Sequence, residues 1–249
     1  MGESLEEDLR RRAADLTGIV NGVDVEMWNP ARDPALPARF GPEDLSGKVQ
    51  CKQRVCAALG LDEARPLLAF IGRLCDQKGV DLLAAALPGI VAAGANVVFA
   101  GGGEAALRHQ VEVAVARHAG RAWYAGRVED DAARRLLAAA DLVAMPSRYE
   151  PCGIVQFEAQ RSGAVVVARR TGGLIDTVKD LSPSLDRGNG FLFDEATSSA
   201  LGAAVERALQ AMKLPGWDGL RRRVMRAPMS WSGPARHYEA VYRGARTAR

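Results

Sequence analysis

The sequence predicts an α/β domain built on a doubly wound parallel sheet, and three observations carry that expectation. Short apolar runs recur along the chain, each bounded by turn-forming residues, as strands buried on both faces require. Longer segments with helical periodicity lie between them, so strands and helices alternate from Leu67 onward. Two of the runs, Leu142–Met145 and Val165–Ala168, feed directly into acidic and glycine-rich segments at their carboxyl ends, where an open α/β sheet places its ligand.

Residues 1–58 read as a lead-in and residues 59–249 as the domain itself. Leu5 to Leu16 is charged and helical in character, and Gly18 to Pro37, with Asn21-Gly22 and Trp28-Asn29-Pro30, has the composition of an ordered loop joining two units. The alternation then runs strand Leu67–Ile71, helix Val80–Ala93, strand Asn96–Ala100, helix Glu104–His118, strand Arg121–Ala125 and helix Asp130–Ala140. Strand Leu142–Met145, a helix after Cys152, strand Val165–Ala168, a helix opening at Thr171 and strand Phe191–Phe193 continue it, for about six strands. Terminal helices are expected over Leu201–Met212, Leu220–Met225 and Trp231–Tyr242, with Trp231, Tyr238 and Tyr242 on one face of the last.

Composition narrows the function classes. With 249 residues and 48% hydrophobic content the chain can enclose a sizeable core. A net charge of +3, with arginines scattered along helices and no interleaved aromatics, argues against a nucleic-acid surface. Cys51, Cys56, Cys75 and Cys152 lack paired metal-ligand spacing and the three histidines are dispersed, so no metal site is expected and the thiols read as reduced. The most apolar stretch, Leu82 to Ala100, is broken by Pro88, Gly89, Gly94 and Asn96, so no membrane span is expected. The amino terminus, Met1 to Asp8, is acidic, unlike a signal or transit peptide, and Glu6 spoils the acylation pattern that Gly2 opens. Any targeting segment is expected outside this chain.

Several groups of residues could carry chemistry. Arg73 and Lys78 lie between the first strand and its helix, and two cations beside a helix N-terminus suit a diphosphate, although residue types alone equally allow a solvated basic loop. Thr171-Gly172-Gly173 is either a tight turn or a loop whose amides approach phosphate oxygens, with Thr171 capping the helix. Glu150 and Glu158 form a Glu-x7-Glu pair, two acceptors for sugar hydroxyls; Glu158 reads otherwise as a charge on an exposed helix face. Gly101-Gly102-Gly103-Glu104 is a nucleotide loop or a plain helix start. Cys152 stands beside a helix start that favours a thiolate, but no histidine is placed as its base, and a nucleophilic role is not expected.

Ile71-Gly72-Arg73-Leu74, Gln77-Lys78-Gly79, the stretch Pro146 to Gly153 and Thr171-Gly172-Gly173-Leu174 together resemble the carboxyl-terminal half of a starch or glycogen synthase, a retaining glycosyltransferase of the GT-B type with two Rossmann-like domains. The resemblance starts near Leu9 and runs almost to the end. It implies transfer of glucose from ADP-glucose to the non-reducing end of an α-1,4-glucan. Arg73 and Lys78 would bind the donor diphosphate, the amides of Thr171, Gly172 and Gly173 its distal phosphate, and Glu150 with the amides near Cys152 and Gly153 its glucose. Glu158 departs from the usual synthase sequence and is similar to the wider retaining class, where the second acid serves the ribose. Arg127 stands where synthases carry an aromatic that stacks on adenine. The resemblance further implies leaving-group stabilisation by Arg73 and Lys78 with no cofactor or metal, an amino-terminal GT-B domain beyond this chain that carries the glucan-binding loop, and a location in the plastid stroma or the bacterial cytoplasm. Gly18 to Pro30 resembles the crossing between the two halves. Two other readings are a fragment that holds the donor without turnover, as a regulatory partner, and a sucrose- or trehalose-type retaining enzyme.

Overall fold

The structure, a computed structural model, describes residues 5–247, so the start of the acidic terminus and the Gly2 pattern lie outside the described residues. Its strands are β1 (Leu67–Ile71), β2 (Asn96–Ala100), β3 (Ala122–Tyr124), β4 (Leu142–Met145), β5 (Val165–Arg169) and β6 (Gly190–Phe193). Its helices are α1 (Glu6–Arg11), α2 (Ser46–Leu59), α3 (Val80–Ala92), α4 (Ala105–Ala116), α5 (Asp130–Ala139), α6 (Ile154–Arg161), α7 (Leu174–Thr177), α8 (Ser198–Ala211), α9 (Trp217–Arg226) and α10 (Ser232–Thr247). The strands form one parallel sheet in the order β3-β2-β1-β4-β5-β6, with the chain reversing its direction of travel between β1 and β4.

The apolar runs form strands here because both faces of the sheet are covered. Leu68, Phe70, Val97 and Phe99 point to one side and pack against α3, α4 and α8. Leu67, Ala69, Val98, Val143 and Val166 point to the other and meet residues of α2, α5 and α6. Each leucine buried in this way contributes about 1.5–3 kcal/mol relative to exposure, which is why polar residues are absent from β1 and β4.

The expected succession of strands and helices is present, with four differences. The lead-in helix is shorter than Leu5 to Leu16: α1 ends at Arg11, and a single 3-10 turn, Ala13–Asp15, follows. Helix α2 occupies a stretch for which the sequence pattern predicted no element. Its inward positions are Gly47, Lys48, Cys51 and Cys56, so a lysine occupies a core position of the stripe and obscures the apolar period. The Lys48 ammonium donates to the carbonyls of Ala138 and Ser162, both at 2.8 Å, and of Leu137 at 3.4 Å. These carbonyls close the last turns of α5 and α6, where helix oxygens lack intrahelical partners, and the negative ends of two helix dipoles favour the cation. Burial nevertheless pushes the Lys48 pKa well below that of an ordinary lysine.

The third difference is the helix expected to open at Thr171, which begins at Leu174 and lasts one turn. The fourth is the tail, where α10 runs past Tyr242 and Trp231 precedes it. Tyr238 and Tyr242 do share a face, their ring centroids 6.3 Å apart, and they are 38% and 64% exposed. The Gly18–Pro37 segment forms turns without a regular strand, fastened by a parallel bridge from Val23 to Ser230, by Arg161 donating to the Trp28 carbonyl at 3.2 Å and by an Arg134–Asp33 ion pair at 2.9 Å.

Candidate functional site

Three loops converge at the carboxyl ends of β1, β4 and β5, beside the point where the strand order reverses. The loop after β1 makes one 3-10 turn, Asp76–Lys78, and enters α3 through Gly79. Gly79 has φ +64°, and a Cβ there would stand 2.1 Å from the Pro146 carbonyl oxygen, so this loop presses directly on the loop after β4. That contact aims Lys78 at Glu150. Lys78 Nζ lies 2.6 Å from Glu150 Oε2, and the Ser147 hydroxyl donates to the same oxygen at 2.9 Å. The carboxylate is almost completely enclosed, with its side chain 6% exposed. A charge so placed persists because it is paired and hydrogen-bonded.

Arg73 stands at the rim, exposed, its Nη2 donating to Gln77 Oε1 at 3.2 Å. Gln77 in turn donates from Nε2 to the Tyr149 carbonyl at 3.1 Å. Arg148 bonds Asp81 of α3 with both guanidinium nitrogens, at 2.8 and 2.6 Å. Lys78 and Glu150 are therefore in direct contact and Arg73 is tied to their loops through Gln77, while Ser147, Arg148 and Asp81 complete the arrangement. Ser147 and Arg148 lie inside the motif stretch; Asp81 carries no local signal, since its partner is 67 residues away.

The glycine-rich turn after β5 serves this assembly differently from the expectation. Thr171 does not cap a helix amide; its hydroxyl donates to the Arg148 carbonyl at 3.2 Å. The Gly173 amide donates to the Glu150 carbonyl at 2.9 Å, so it is already committed within the protein. Gly172 has φ +49°, and a Cβ on it would stand 2.0 Å from the Glu150 carbonyl oxygen. The turn is thus shaped first to seat the Glu150 loop.

Gly153 begins α6 in the left-handed conformation, and Cys152 is half-buried against an apolar cluster containing Phe157 and Met229. One turn along α6, Glu158 contradicts the reading of an exposed charge. It is half-buried without a side-chain hydrogen bond, and burial, aided by the Asp130 carboxylate at the start of α5, pushes its pKa up to about 7. The Gly101–Glu104 segment packs alongside the first loop, Leu74 N–H donating to Gly102 O at 2.9 Å and Glu104 N–H to Leu74 O at 2.8 Å, as a helix start does.

Two sizeable cavities lie elsewhere. One of about 790 Å³ is lined by Leu36, Val55, Val98 and Leu136, another of about 810 Å³ by Leu185, Phe191 and Leu214; both are mainly apolar. Neither contains a paired acid and cation like Glu150 and Lys78, and the convergent polar groups, not cavity size, mark the site. Among the described residues no three His, Cys, Asp or Glu side chains gather as a metal-ligand cluster, and no helix is long and apolar enough to cross a membrane.

This geometry suits a ligand with a negatively charged diphosphate next to a hydroxyl-bearing group, since cations and an enclosed acceptor stand side by side. The chain is similar to known proteins. The family model for glycosyl transferases group 1 matches residues 65–211. The chain is 45% identical over 245 residues to the glycogen synthase of Anaeromyxobacter dehalogenans, covering 97% of this chain and 51% of that protein. It is 43% identical to the glycogen synthase of Myxococcus xanthus, covering 97% of this chain and 50% of that one. Among solved structures, the catalytic domain of starch synthase IV from Arabidopsis thaliana, bound to ADP and acarbose, superposes with a TM-score of 0.89 at 33% identity, over 97% of this chain and 51% of that one. The chain spans about half the length of the curated relatives it matches. With the matched region running from before β1 to the end of α8 and so including every loop of the site, the chain belongs to the glycosyl transferases group 1 family.

Proposed function

We propose that this chain is the donor-binding half of a glucosyltransferase of the glycogen or starch synthase type, holding ADP-glucose for retaining transfer to the non-reducing end of an α-1,4-glucan. The observation that carries the reading is the Lys78–Glu150 pair, with Arg73 beside it. Arg73 and Lys78 meet the diphosphate, and their charge stabilises the ADP that leaves as the bond to glucose breaks. Lys78 exchanges part of its contact with Glu150 for phosphate oxygen, which releases the carboxylate to accept glucose hydroxyls. The leaving diphosphate helps to deprotonate the incoming hydroxyl, and the group transfer calls for no cofactor. Glu158, in its half-buried position on α6, faces the ribose.

The names of the relatives support this choice of donor and acceptor, as does the ADP in the starch synthase IV structure. The acceptor site and the closure that excludes water belong, in this reading, to a further domain that docks against Gly18 to Pro30 and the exposed tyrosine face of α10. The reaction takes place in the bacterial cytoplasm or the plastid stroma. Calorimetric titration with ADP, ADP-glucose and UDP-glucose tests the donor. Incorporation of labelled glucose into glycogen, by the chain alone and with a complementing half, tests the division of labour. Vigorous elongation by the chain alone would place the acceptor site within these residues and refute that division.

A further inference from the structure

Arg148 joins all three loops of the site. Besides its two bonds to Asp81, its Nη1 donates to the Asp76 carbonyl at 2.8 Å, and its backbone N–H donates to Gln77 O at 2.8 Å. Its own carbonyl accepts from Arg169 Nη1 at 2.8 Å and from the Thr171 hydroxyl at 3.2 Å. Asp76 and Gln77 before Lys78 and Asp81 after it, in the first turn of α3, flank that residue, and Glu150 follows Arg148 by two residues. Both charged side chains are largely removed from water, 29% and 27% exposed, so solvent screens their attraction only in part. The hydrogen bonds between them hold Asp81 below, and Arg148 above, their ordinary pKa values.

We propose that the Arg148–Asp81 pair is a positioning clamp, which fixes the spacing between the Lys78 ammonium and the Glu150 carboxylate so that the diphosphate and sugar contacts are presented together. Arg148 itself acts through these two groups. The task calls for a planar fork: a lysine keeps the charge but offers a single centre, which does not span both Asp81 oxygens and the Asp76 carbonyl. Without the clamp the two loops remain folded but fluctuate independently, and a ligand that needs both must order them on binding.

The test uses the chain as it stands, with Arg148→Lys, Asp81→Asn and the double variant. Hydrogen exchange at the Arg148 and Gly173 amides, which bond to the neighbouring loops, should accelerate about tenfold in all three, with the strand amides of β1 and β4 unchanged. Titration should show about tenfold weaker binding of ADP-glucose and a smaller loss for ADP, which makes no demand on Glu150, and the double variant should be no worse than the worse single one. Arg148→Lys should add little to Lys78→Ala. The titration arm rests on the donor reading proposed above and the exchange arm does not, so a wild-type chain that binds neither ligand would refute that reading while exchange still decides the clamp. Wild-type exchange in these loops in all three variants would overturn the clamp, as would equal losses for ADP and ADP-glucose; a lowered melting temperature with wild-type loop exchange would make the pair a stabilising contact only.

Discussion

Glu158→Gln removes the charge of a carboxyl that its surroundings hold at about 7, against 4.5 for an ordinary glutamate. Because the folded chain keeps this proton longer than the unfolded chain, the group's contribution to stability is fully present below about 4.5 and is lost as pH rises through about 7. A displacement of about 2.5 pH units at about 1.4 kcal/mol each limits the effect to roughly 3 kcal/mol, of which about 2.5 kcal/mol falls between pH 5 and pH 8. Urea unfolding of wild type and variant at half-unit intervals isolates it, since every other titration cancels in the difference. The glutamine variant should gain on the wild type by that amount over the interval, roughly two thirds of the change falling below about pH 6.5. If the ionised carboxylate receives the ribose hydroxyls, ADP affinity of the wild type should also rise about tenfold between pH 6 and pH 8 and that of the variant should not. A wild-type-minus-variant difference that is flat with pH would show that Glu158 titrates at an ordinary value, and the account of its burial would be wrong.

Three further perturbations test other parts of the structure. Arg73→Ala should weaken ADP binding by about 1.5–3 kcal/mol, as loss of a hydrogen bond to a charged group does, and unchanged affinity in folded Arg73→Ala and Lys78→Ala chains would remove both from the diphosphate site. Glu150→Gln should reduce affinity for ADP-glucose by at least about tenfold more than for ADP; calorimetry giving equal losses would reassign Glu150 to the nucleotide or to the fold. Lys48→Met leaves the carbonyls of Ala138 and Ser162 without their donor, and urea denaturation should show a loss of about 3 kcal/mol, whereas a stability within about 0.5 kcal/mol of wild type would mean that water or neighbouring amides satisfy these oxygens.

The strands were legible because burial on both faces forces an unbroken apolar run, and Leu142–Met145 contains no polar residue to confuse it. Helix α2 was hidden by the same rule, since Lys48 occupies an inward position that only tertiary partners make acceptable. The charged members of the site were visible where they lay in tight local motifs, as Arg73, Lys78 and Glu150 do. Their supports were not: Gln77 and Arg148 in loops and Asp81 in the first turn of α3 are ordinary polar residues until folding brings together positions some 72 and 67 residues apart. The glycines of the Thr171 turn show a subtler limit. Sequence indicates that a backbone approaches something closely there, but not whether the neighbour is a ligand or, as at Gly172, the Glu150 carbonyl.

The reversal of strand order also governs when the site comes into being. β1 joins β4 through Leu68 with Leu142 and Ala69 with Val143, and the Leu67 amide bonds to Asp141, 74 residues onward. Contacts between such distant positions close a long loop and are slow to form. Strands β1, β2 and β3, all earlier in the sequence, can come together while the chain beyond Asp141 is still being synthesised, but Lys78 then has no Glu150 to face. ADP added to a refolding chain should therefore leave the folding rate as it is and slow unfolding alone, because there is nothing for it to hold until the seam between β1 and β4 has closed.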